Sequence, residues 1–341
     1  MLVCVTLAVA ASHARGAASS GSAPGGPGAQ SYLDNARKDC FGTARNTNSK
    51  VWFTVANGVL SDVFSPTIEN SNVNTVQYIV TDGHSFADLQ ARDMTYTASS
   101  PDPSGMVCRV TSRDSRHGFE LVSDYSTDPA RSSVLIHTTL KPLGTTTSNR
   151  LRRLKVYVRY DATIDNTGGG GPTNALPNNA SFDPATGTLV SADTTKPTGP
   201  FAAQVVGALA AARGFARSSS GFVGTPSDGL SQLDTYHRLH SAYRRATAGN
   251  VVQTGLLRER PGVPFTLALG FGRTARTAAS TARTSADGAY GPSLSRYEGG
   301  WRAYDDALKA PPVGRRRSYW LSANVIKAAE DKTYIGAFVA S

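Results

Sequence analysis

Cysteine is scarce in this chain: three in 341 residues, at Cys4, Cys40 and Cys108. No two stand at C-x-x-C spacing, so the ligand pattern of a structural zinc site is missing. Long apolar runs are missing too. The opening run LVCVTLAVAA, residues 2–11, is ten residues long, and no later run approaches the roughly 18 of a membrane span. No G-x-S-x-G presents a serine nucleophile, and the four glycines Gly168 to Gly171 lead into Pro172. With no GK[ST] and no helix opening there, a phosphate-cradling loop is not the reading. Acidic residues are outnumbered, 25 against 35 Lys and Arg, for a formal charge of +10. The basic clusters, Arg150, Arg152, Arg153 and Lys155 and then Arg315, Arg316 and Arg317, lie in a strand-like alternation and a Pro-rich linker. Neither sits in a nucleic-acid-binding module, so a solvated basic face is expected and no nucleic-acid partner.

What is present begins with export. The apolar run is followed by Ser12-His13-Ala14 and Arg15-Gly16-Ala17, small-residue patterns that suit a signal peptidase, which predicts a signal peptide over 1–18 and an extracellular protein. Residues 19–36, opening on SSGSAPGGPGAQ, predict a flexible lead-in. Loss of Cys4 with the signal leaves Cys40 and Cys108 in an oxidising compartment. They are either a disulfide, worth about 4 kcal/mol in the chain-entropy model, or two buried thiols.

From Val51 onward the hydrophobic pattern has period two. VWFTVANGVLSDVF carries Asn57-Gly58 between two β-prone arms, the strongest short hairpin signal, and VQYIVTDGHSF repeats the device with Asp82-Gly83. Further short alternating runs follow, each ended by turn residues, to about Gly272. Strands joined by short connections, with no crossover helices between them, predict a large antiparallel β-sandwich over 37–272 and a mainly β fold class. Helical periodicity comes after it. Leu294, Tyr297, Trp301, Tyr304 and Leu308 share one helix face, within a helical linker over 273–314 that Pro311-Pro312 interrupts. A second helix over 319–329 turns Leu321 or Ser322, Val325 and Ala328 or Ala329 one way.

Catalytic candidates are few. Glycoside hydrolysis needs two carboxylates across the scissile bond. Asp305 with Asp306, and Glu330 with Asp331, are the acid pairs near helices. Neighbours on a helix diverge by about 100°, so each is read as a solvent-facing or capping pair. His237 and His240, three apart, read as a helix-surface pair rather than a metal site, and His84 as a hairpin residue. Trp52, Tyr78, Tyr96 and Tyr157 are sugar-stacking candidates, but on alternating strands they are better read as core.

Several stretches, in order, resemble one family: KDCFGTARNTNSKVWFTVANGVLSDVFSP, VQYIVTDGHSFADLQ, GFVGTPSDGLSQL, GNVVQTGLL, FTLALGFG, YEGGWRAYDDALKAP and SANVIKAAEDKTYIGAFVAS. They are similar to the bacterial glucoamylases and glucodextranases of glycoside hydrolase family 15, from about Lys38 to Ser341. The resemblance implies a galactose-mutarotase-like sandwich, a helical linker, and over 315–341 the start of an (α/α)6 barrel. It implies inverting release of glucose from the non-reducing ends of α-glucans or dextran, with one Glu as general acid and another as general base. In the family both glutamates follow the GAFVAS-like stretch, so no residue of this chain is assigned a catalytic, cofactor or metal role. Calcium, which some relatives carry, finds no clustered oxygen-ligand loop here. The expected partners are an α-glucan or dextran through the whole enzyme and, within the molecule, the barrel. Two readings stand beside this one: a stand-alone polysaccharide-binding sandwich, and a degenerate structural product.

Overall fold

The alternation folds into sheet wherever turn chemistry closes it. At the first hairpin Asn57 and Gly58 both take positive φ, 52° and 73°, the backbone a two-residue turn requires to match the twist of its strands. The structure, a computed structural model, describes residues 21–30, 37–167, 178–193 and 204–338. The expected signal peptide and the four-glycine loop lie outside the described residues.

The chain runs through β1 (Cys40–Thr43), β2 (Trp52–Ala56), β3 (Val59–Phe64), β4 (Asn70–Thr81), β5 (Ala87–Leu89) and the single turn α1 (Gln90–Asp93). Next come β6 (Thr95–Ser99), β7 (Cys108–Asp114), β8 (Phe119–Thr127), β9 (Ser133–Pro142), α2 (Ser148–Leu151) and β10 (Lys155–Thr167). They are followed by β11 (Asn178–Asp183), β12 (Thr188–Asp193), β13 (Val206–Ala211), β14 (Phe215–Phe222), α3 (Gly229–Tyr236), β15 (Arg245–Gly249), β16 (Val251–Leu257) and β17 (Phe265–Gly272). Three helices follow the last strand: α4 (Ala275–Asp287), α5 (Tyr290–Ala307) and α6 (Arg316–Ala328).

The strands form two sheets. One has the order β1-β2-β3-β4-β10-β16-β14 with β5 added on β4, and the other β15-β11-β12-β13-β17-β9-β8-β7-β6. Each partnership between named strands is antiparallel, so the mainly β sandwich expected from the alternation is what forms. Its core is a continuous apolar layer that includes Phe53, Leu60, Val158, Leu209 and Leu267. Cys40 and Cys108 are joined by a disulfide, their Cα atoms 5.8 Å apart, which ties the first strand of one sheet to β7 of the other.

β13 is buried at all six of its positions because α4 covers the outer face of its sheet with Ala278, Ala279, Ala282 and Ala286. Close approach depends on small residues on both sides. A Cβ at Gly270 would stand 2.4 Å from the Ala282 nitrogen. Thr274 and Thr277 form a reciprocal capping box at the start of α4.

Two expectations need correction. The lead-in is not free over its described part: Ala23 N donates to Arg245 O at 2.8 Å, Ala29 N to Val223 O at 2.8 Å and Asn250 N to Pro27 O at 2.7 Å. β14 and β15 are edge strands of their sheets, and unpaired edge groups recruit whatever backbone can satisfy them. Helix also occurs inside the sandwich. Asp228 caps α3 by accepting from Leu230 N, and His237 closes it in the left-handed region at φ 54°. His237 and His240 therefore lie beyond the helix end and do not form a helix-surface pair.

Candidate functional site

The face built by α5, α6 and residues 329–338 is the candidate site. α5 turns Tyr297 and Trp301 into the protein as its period predicted, with Leu294 and Tyr304 packed against them. Two hydrogen bonds fix that face to the sandwich: Tyr297 Oη donates to Met106 O at 2.8 Å and Trp301 Nε1 to Thr43 O at 2.9 Å. α6 buries Asn324 and Ala328, and Asn324 Nδ2 donates to Ser104 O at 2.9 Å. Of the face expected over 319–329, Leu321, Ser322 and Val325 point outward together, and Ala328 turns inward. Leu321, Val325 and Ile326 are exposed, and so are Tyr334, Ile335 and Phe338 beyond the helix. Of the ten exposed large hydrophobics among the described residues, these six fall within eighteen positions. A soluble surface rarely concentrates apolar side chains in this way without a partner.

The segment carrying this apolar face is held from below. Trp52 Nε1, fully buried in β2, donates to Ala328 O at 2.9 Å. Lys332 Nζ reaches Thr43 Oγ1, donates to Ser49 O at 2.6 Å, and lies 5.0 Å from the Trp52 ring centroid. Burial, with the nearby Arg45 charge, pushes the Lys332 amine well below its ordinary range. Asp331 binds three backbone amides, Thr333 N at 2.6 Å, Tyr334 N at 2.7 Å and Ile68 N at 3.0 Å. Glu330 pairs with Lys327 and accepts from Gly336 N at 3.0 Å.

This accounts for the acid pairs. Glu330 and Asp331 shape the turn after α6, a capping role. Asp306 faces solvent, but Asp305 does not: it is buried and accepts a hydrogen bond from Ser104 Oγ. The expected solvent-facing pair is split because adjacent helix positions diverge by about 100°, which sends one carboxylate into the α5 interface. Of the aromatics, Trp52, Tyr78 and Tyr157 are core, whereas Tyr96 is 39% exposed. His84 sits in the turn after β4, where its N–H and that of Ser85 donate to the Asp82 carboxylate. Both basic clusters are solvated: Arg150 belongs to α2 and Arg152 follows its end, Lys155 opens β10, and Arg316 and Arg317 begin α6.

One cluster has no signature along the chain. Asp88, Asp114 and His117 bring one ligand atom each within 4.8 Å of one another. His117 Nδ1 lies 2.6 Å from Asp88 Oδ2 and 3.2 Å from Asp114 Oδ2. The remaining oxygens are engaged: Arg116 Nη2 donates to Asp88 Oδ1 at 3.1 Å, and the Arg116 and His117 amides donate to Asp114 Oδ1. Burial and then the neighbouring Asp114 push Asp88 up to about 6. Burial opposes ionisation of Asp114 as well, but hydrogen bonds from Asp88 and the His117 amide prevail and hold it low. With the donors and acceptors thus balanced, this is a charge network that joins β5 to β7.

Residues 23–306 match the family described as glucodextranase, domain N. The chain belongs to that family. A glucoamylase from Clostridium sp. (strain G0005) is 27% identical over 320 residues, covering 94% of this chain and 43% of the relative. The crystal structure of a bacterial glucoamylase complexed with acarbose superposes with a TM-score of 0.80 at 26% identity, covering 94% of this chain and 44% of that one. A family GH92 inverting mannosidase from Bacteroides thetaiotaomicron VPI-5482 shares the fold, with a TM-score of 0.50 at 9% identity. This domain N chain thus spans less than half the length of the glucoamylases it matches. Its sandwich, with the helices packed on it, corresponds to the N-terminal part of glucoamylase-like enzymes.

Proposed function

We propose that this domain N is the supporting sandwich of an exported exo-acting α-glucan hydrolase, and that the face of α6 and residues 329–338 seats the (α/α)6 catalytic barrel of the whole enzyme. The observation that carries the reading is the concentration of exposed Leu321, Val325, Ile326, Tyr334, Ile335 and Phe338 on a segment locked to the sandwich from beneath. The barrel is the occupant because more than half of each matched glucoamylase lies outside the region this chain covers. No part of glucan cleavage is assigned to this chain's own residues, since Glu330 and Asp331 are taken up in the turn after α6 and Asp305 is buried against Ser104 while Asp306 faces solvent. An inverting reaction needs two free carboxyls about 6.5–9.5 Å apart.

The purified 341-residue chain should release no glucose from maltotetraose or dextran; release would overturn the reading. The chain should also self-associate through its apolar face. Ile326 and Ile335 are 65% and 67% exposed, so Ile326→Lys with Ile335→Lys should shift sedimentation velocity toward monomer at a stability cost within about 0.5 kcal/mol. Unchanged sedimentation, or loss of the fold, would refute the docking assignment. Export to the cell exterior is part of this proposal, and recovery of the protein only from the cytoplasm of its source would contradict it.

A further inference from the structure

A groove of about 400 Å³ opens beside α3, on a part of the molecule remote in sequence from the apolar docking face. Its size falls within the range of small-ligand sites. Thr225, Ser231, Gln232, Tyr236, His240 and Tyr243 carry its chemistry. The inward stripe of α3 is Gly229, Gln232 and Leu233, and helical spacing makes Tyr236 its next member. Yet the Tyr236 ring is 47% exposed, stacked on His240 with centroids 4.6 Å apart. Where the period calls for burial, the chain presents an aromatic face.

The walls are rigid. Gln232, buried, accepts from Ser241 N at 2.7 Å and donates to Ser227 O at 3.4 Å, which pins the loop after α3 to the helix. Leu233 and Leu239 anchor that loop in a cluster with Ile79 and Tyr157. Tyr243 N donates to Ser219 Oγ at 3.2 Å, and Tyr243 O accepts from Ser220 N at 2.9 Å. On the opposite wall Asp228 accepts from Gly224 N at 3.1 Å. That carboxylate is fixed by buried Arg159, whose Nη2 donates to it at 2.9 Å while Nη1 donates to Asp161 at 3.1 Å. A groove held open by a buried ion network does not have to be ordered when a ligand enters.

The lining has hydroxyls, one amide, two phenols and one imidazole, with no carboxylate and no Lys or Arg. Arg217, outside the lining, donates to the His240 carbonyl at 3.1 Å. Such a surface offers no counter-charge to an anion. It suits a neutral ligand with an apolar face to lay on a ring and hydroxyls to hydrogen-bond around it. We infer that this groove binds a neutral oligosaccharide, with Tyr236 as the stacking platform and Ser231 and Tyr243 as polar contacts. The inference does not depend on the docking of a barrel.

The test is calorimetric titration of the 341-residue chain with maltoheptaose and, separately, isomaltohexaose, which distinguish the linkage. The expected result is saturable binding of at least one probe with a dissociation constant below about 1 mM. Tyr236→Ala should weaken it at least tenfold, Tyr236→Phe should retain it, and Tyr96→Ala, an exposed aromatic elsewhere, should leave it unchanged, all with circular dichroism like the parent's. Absence of binding to both probes overturns the inference. So does unimpaired binding by Tyr236→Ala, or equal loss in Tyr96→Ala.

Discussion

Replacement of Trp52 by Phe isolates the clamp beneath α6. The indole is fully buried and joins residues 276 apart in sequence through its bond to Ala328 O. Phe keeps the packing of a ring but takes away the donor. The Ala328 carbonyl, in the last turn of α6, is then left buried without this partner, at about 1–3 kcal/mol. The Lys332 amine over the ring loses part of its attraction, about 0.5 kcal/mol, and the smaller ring leaves a gap worth about 1 kcal/mol. The sum is about 2.5–4.5 kcal/mol, and at 1.4 kcal/mol per decade it accelerates local opening roughly 60- to 1600-fold. Native-state hydrogen exchange should show this acceleration in α6 amides and at Asp331 N, which donates to Ala337 O at 2.8 Å, while the central strands β10 and β17 keep their protection. Acceleration below about threefold in α6 would show that the bond carries little. Equal acceleration in the strands would show that α6 and the sandwich open as one unit, and the clamp reasoning would fail.

Two further outcomes follow from the same structure. Replacing Cys40 and Cys108 together by Ser should lower unfolding free energy by about 4 kcal/mol, from the 68-residue separation the bridge closes; a loss below about 1 kcal/mol in urea titration would contradict the entropic account. Asp88 titrates near 6 in the folded protein, above its ordinary value of about 3.9. The folded state thus binds the proton more tightly, and this contribution to stability is present below about pH 4 and lost as pH rises through about 6. Asp88→Asn, always uncharged, should therefore gain melting temperature relative to the parent between pH 4 and pH 7, and a pH-independent difference would refute the assignment.

Much of this was legible along the chain because it is local. Period-two alternation and the Asn57-Gly58 turn specify strands and a hairpin from contacts a few residues apart, and the Tyr297–Trp301 stripe specifies the buried face of α5 in the same way. α3 is not legible because its one strong start signal, the Asp228 cap, sits in a Gly- and Pro-bearing segment that reads as loop, and its eight residues are too few for a clear period. The two histidines after it read as a helix pair because the left-handed turn at His237 has no Gly or Asn to announce it. Asp305 reads as a surface acid because nothing near it in sequence reveals Ser104.

The sequence by itself determined the antiparallel sandwich, the helices that follow it and the membership of the glucodextranase domain N family, since each rests on short-range pattern or on ordered motifs. Only the tertiary structure decided what those residues face. It brought Asp88, Asp114 and His117 into one charge network, and it set Trp52 under Ala328. It also turned the Leu321–Val325 side of α6 to solvent and left Tyr236 above a groove. These are matters of sheet register and helix rotation, and a shift of one residue in either moves a side chain from core to surface. A pattern along the chain states which faces exist, but not which of them meet.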